Sequence, residues 1–87
     1  MNYAKHILSP KCDMHLDVQN TLECMMVPAG SLLDYQYTFT GTGEQTTQKF
    51  YSYRIIRHGL HDEIKDGISV VLNESQCHDD EQFDELD

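Results

Sequence analysis

Residues 34–40, Asp-Tyr-Gln-Tyr-Thr-Phe-Thr, alternate large aromatic and polar side chains without a break. An extended strand places Tyr35, Tyr37 and Phe39 on one side and Gln36, Thr38 and Thr40 on the other, whereas a helix would scatter the rings around its circumference. Gly41-Thr42-Gly43-Glu44-Gln45 follows, where glycine reaches positive φ without steric cost, and a second run rich in aromatic and β-branched residues extends from Thr46 to Arg57. The pair predicts a long β-hairpin, and a chain of 87 residues has room for only one domain built around it.

Two further regions extend the β reading. Met14–Val18 and Leu22–Val27 alternate for part of their length around Gln19-Asn20-Thr21, which predicts a second hairpin. The competing assignment is a helix from Asn20 to Met26, capped by Asn20 or Thr21 and stopped by Pro28-Ala29-Gly30, but it is shorter than two full turns. Ile68–Asn73 reads as a short strand after a tight reversal at Lys65-Asp66-Gly67, and residues 61–65 suit a helical turn. The expected fold is mainly β: a small antiparallel meander or open barrel of four to six strands over residues 1–75. One short helix on a face would make it a β-rich α+β domain. Its core would draw on Leu16, Val18, Leu22, Met26, Tyr35, Tyr37, Phe39, Tyr53, Ile55, Val70 and Leu72.

The formal net charge of −9 is unevenly distributed. Seven of the fifteen acidic residues lie between Glu74 and Asp87, a stretch with no Lys or Arg, which leaves eight acids against six bases in the rest of the chain. Clustered carboxylates repel one another and resist burial, so residues 76–87 are expected to form a solvated acidic tail, flexible or briefly helical. In a helix, Phe83 and Leu86 would share one face as apolar anchors ringed by Asp79, Asp80, Glu81, Asp84 and Glu85. A basic, apolar-lined groove on a protein partner is the matching receptor.

Three chemistries compete with that reading. Cys12-x-x-His15 and His58-x-x-His61 use zinc-ligand residue types at spacings that can share an ion, although the intervening residues only partly resemble zinc-knuckle turns. Lys49, Tyr51, Tyr53, Arg54 and Arg57 interleave bases with aromatics, as single-strand nucleic-acid binders do. On a strand, however, each face of this segment mixes apolar centres with charged positions, as an ordinary core strand does with its ends in water, and the anionic field opposes phosphate. Nucleophilic catalysis lacks any complete signature: there is no Gly-x-Ser-x-Gly elbow, phosphate loop or His-Glu-x-x-His helix.

Met1–Pro10 has no apolar signal-peptide core, and no run approaches the roughly 18 apolar residues needed to span a membrane. Cys12, Cys24 and Cys77 are an odd count, which suits reduced thiols in a cytoplasmic protein better than a disulfide framework. The sequence therefore points to a non-enzymatic acidic binding protein without cofactor, an inhibitor or adaptor that occupies a basic, nucleic-acid-binding surface of a protein partner. Phage-borne inhibitors of host defence often have this size and charge, a likeness of composition alone. The alternative is a small zinc-stabilised or single-strand nucleic-acid-binding module, and exposed strand edges leave room for a homodimer.

Overall fold

The computed structural model describes residues 6–42, 47–59 and 68–86. They form seven strands and one helical turn: β1 (Ile7–Pro10), β2 (Met14–Val18), β3 (Cys24–Val27), β4 (Leu32–Thr42), β5 (Thr47–Arg57), β6 (Ser69–Asn73), α1 (Glu74–Cys77) and β7 (Phe83–Glu85). All pairings are antiparallel, in the order β3-β2-β6-β5-β4-β1-β7. The mainly β expectation holds, with seven strands in place of four to six. Both expected hairpins are present, and residues 20–26 form a turn and β3 rather than a helix. The connections at 43–46 and 60–67, with the expected reversal and helical turn, lie outside the described residues.

The short connections bow the sheet. β1 and β2 stand four strand spacings apart, roughly 19 Å if the sheet were flat. Yet only Lys11, Cys12 and Asp13 join Pro10 to Met14, a reach of at most about 14 Å. The sheet must therefore curl, and the loop after β3 ties the two sides together. Gly30 N donates to Pro10 O at 3.0 Å, and Ala29 N donates to the Asp13 carboxylate at 2.8 Å. Gly30 holds φ 86°, where a side chain would be strained.

The concave face carries the core: Leu8, Leu16, Val27, Leu33, Tyr51, Tyr53, Ile55, Val70, Leu72, Cys77 and Phe83. α1 supplies Cys77 and is held by a capping box. Asn73 Oδ1 accepts from Gln76 N at 2.8 Å, and Gln76 Oε1 accepts from Asn73 N at 3.0 Å.

Several residues expected in the core lie elsewhere. Leu22 is fully exposed at the β2–β3 turn, Met26 and Tyr37 are exposed, and Phe39 is only half-buried on the opposite side of the sheet. For Tyr37 and Phe39 the cause is a bulge. Tyr35 pairs with Tyr53, but Tyr37 pairs with Ser52, so Gln36 has no partner and the strand changes face. Tyr35 stays on the core side with its ring 5.8 Å from that of Tyr53, while Tyr37 and Phe39 turn outward.

The acidic segment also departs from expectation. β7 pairs with β1 through Leu8↔Glu85, Ser9↔Asp84 and Pro10↔Phe83, and Phe83 is 2% exposed. A large ring that fits the open end of a curled core gains roughly 1.5–3 kcal/mol by burial, enough to draw neighbouring carboxylates to the rim without burying them. Residues 83–85 are a sheet edge with Asp84 and Glu85 exposed, rather than part of a detached tail.

Candidate functional site

The outward turn of β4 creates a face with its own organisation. Register places Tyr37, Ser52, Val71, Asp17 and Cys24 in one row across five strands. In the next row Phe39 opposes Phe50, with ring centroids 5.6 Å apart and planes at 24°, and Tyr37 lies 5.9 Å from Phe39. Gly41 makes room for this stack: a Cβ there would sit 2.7 Å from the Phe50 ring. Three rings thus form an outer cluster that takes no part in the core.

Gln19 joins the β2–β3 hairpin to the cluster. It follows Asp17 on the outer side, accepts from Ser52 Oγ at 2.6 Å and donates through its Nε2 to the Tyr37 hydroxyl. Ser52 is fully buried beneath it, so the amide supplies the partner its hydroxyl requires. At the tip, Asn20 adopts φ 65°, and Thr21 Oγ1 donates to Val18 O at 3.0 Å while accepting from Glu23 N at 3.1 Å. Asn and Thr are suited to a tight tip of this kind.

Between this tip and the rings runs an open groove of about 620 Å³, lined by Asp17–Glu23, Tyr37, Phe39 and Val71. Among the described residues, Asp17 and Glu23 are its charged ones, and no Lys, Arg or His lines it. Among the described residues no cation pairs with either carboxylate. Arg54, on the same face one row away, is opposed in register by Asp34.

The residues singled out from sequence fall into separate places. Tyr51 and Tyr53, proposed to stack on bases, are 2% and 0% exposed, so their rings belong to the core. Burial raises the pKa of both phenols. For Tyr51 the Glu74 carboxylate adds to the effect, and for Tyr53 the hydrogen bond to Cys77 Sγ at 3.2 Å does so. Arg57 donates to Gly59 O and Gly30 O, each at 3.2 Å, and so braces the loops at the end of β5. Lys49 and Arg54 are exposed. The interleaved pattern therefore does not assemble one nucleic-acid surface.

Cys12 and His15 are exposed, and the His58 Nε2 lies 3.1 Å from Met26 O. His61 lies outside the described residues, among which no three His, Cys, Asp or Glu side chains converge in a metal-holding group. Of the carboxy-terminal set, Asp80, Glu81, Asp84, Glu85 and Leu86 are exposed, Asp79 is half-buried and Phe83 is in the core. Lys11 crosses to this segment, donating to Asp80 O at 2.6 Å and pairing with Asp84 at 3.6 Å.

The outer groove was not anticipated from the sequence. Its one signal was the surplus of rings in residues 35–39 and 50–53, more than one small core face can hold. No helix among the described residues is long and apolar enough to cross a membrane. No protein-family model, curated protein or solved structure matches this chain.

Proposed function

We propose that this chain is a non-enzymatic acidic binding protein, an inhibitor or adaptor that occupies a basic surface of a protein partner, of the kind that otherwise holds nucleic acid. The observation that carries the reading is the outer groove, in which Tyr37 and Phe39 stand beside Asp17 and Glu23 with no base among the described lining residues. The exposed Tyr37 ring and the half-buried Phe39 ring supply contact area at low entropic cost, and carboxylates at the margin steer and orient a cationic surface. The exposed Asp80, Glu81, Asp84 and Glu85 extend the anionic field along the rim near β7.

The test has two stages. A partner captured by the intact chain from its native host is purified, and its affinity for the chain is measured against ionic strength and in competition with single- and double-stranded DNA and RNA. The reading expects affinity to fall by at least ten-fold from low to high salt, with displacement of nucleic acid from the partner. Salt-independent binding, or a partner that holds nucleic acid and this chain together, overturns it.

A further inference from the structure

We infer that the outer groove receives an arginine side chain of the partner, its guanidinium lying against the Tyr37–Phe39 rings and paired with Asp17 and Glu23. The inference rests on the proposed function and names the group recognised. The groove is open along its length, which suits a side chain presented by a protein surface better than an enclosed small molecule. Its two sides differ in chemistry. The aromatic side offers the faces of π systems, whose quadrupoles attract a cation within about 6 Å of the ring centre. Carboxylates accept hydrogen bonds from the same cation in its own plane.

Guanidinium meets both demands at once, because it is flat, permanently charged and carries donors in a fork that matches a carboxylate. An anionic occupant would meet Asp17 and Glu23 with no base among the described lining residues to compensate. A purely apolar occupant would strip water from those carboxylates without replacing their hydrogen bonds. Gln19 pre-organises the site: tied to Ser52 and Tyr37, it holds the tyrosine ring in place before the partner arrives.

The probe is N-acetyl-arginine amide, titrated into the full chain and followed by NMR at the Tyr37 ring and the Gln19 side-chain amide. N-acetyl-citrulline amide, the neutral isostere, serves as control. The expected result is saturable shifts at both positions with arginine and at least ten-fold weaker binding of citrulline. The double variant Asp17→Asn/Glu23→Gln, both positions exposed, should lose at least ten-fold in affinity for arginine while keeping the wild-type backbone spectrum. Equal binding of citrulline, or shifts confined to residues 79–86, overturns the inference. If the arginine probe fails while a salt-sensitive basic partner is captured, the groove assignment falls and the proposed function stands. If the probe binds the groove but every captured partner is salt-insensitive, the reverse holds.

Discussion

The hydroxyl of Tyr35 meets Thr38 Oγ1 at 2.6 Å, on the same side of the sheet, although regular alternation would put residues three apart on opposite sides. The bulge at Gln36 is the reason. It also separates the chain's aromatic residues into a core set and an outer set.

Deletion of Gln36 should leave an unbroken ladder with Tyr35 opposite Tyr53 and Tyr37 opposite Ser52, so that Tyr37 and Phe39 keep the outer face. With every ring on its present face, the change in stability should stay within about 1 kcal/mol. Urea denaturation reads the change. A loss of about 3 kcal/mol or more would show that the extra residue is itself needed for the packing on either side of it.

Phe83→Ala should destabilise the fold by about 3–5 kcal/mol, as loss of a buried ring does. Leu86→Ala, at an exposed position three residues on, should stay within about 0.5 kcal/mol. Equal, small effects in the same denaturation assay would show that β7 contributes nothing to the core.

Tyr51 and Tyr53 both have phenol pKa values raised above the ordinary value, chiefly by burial. The folded chain keeps these protons to higher pH than the unfolded chain does. Their stabilisation is therefore complete below about pH 10 and falls as pH rises beyond it. Denaturation midpoints between pH 8 and 11.5 should show this fall, and Tyr53→Phe should lessen its slope. An unchanged slope would remove Tyr53 as a source.

Asn73→Ala removes the side chain that accepts from Gln76 N and should cost about 1 kcal/mol. Because α1 carries Cys77 into the core, amide exchange at Cys77 and His78 should quicken more than exchange in β2. Uniform acceleration across the sheet would mean that the cap is not a local device.

Gly41→Ala brings a Cβ against Phe50 and should push that ring off Phe39, changing the ring-current shifts of both while leaving the core signals of Leu33 and Ile55 in place. Unaltered Phe39 and Phe50 resonances would contradict the close approach. The same variant reports whether the outer stack is independent of the core.

Much of the β framework was legible in the sequence by itself. Period-two patterning in 34–40 and 46–57, with glycines between, determined a long hairpin. The partial alternation on either side of Gln19-Asn20-Thr21 determined a second, because each signal lies in neighbouring residues and depends only on which side chains can share a face. Charge counting likewise located the carboxylates at the end of the chain.

Tertiary structure alone decided which rings face the core, where Phe83 goes and that a groove exists. A bulge has no local mark at Gln36. It is selected by contacts distant in sequence, Tyr35 with Tyr53 and Gln19 with Ser52 and Tyr37. The carboxylates around Phe83 predicted solvation correctly for themselves but not for the ring, since a strand can bury one side chain while its neighbours stay in water. The bowed sheet provides the space that Phe83 fills, and its curvature follows from connections too short to cross a flat one.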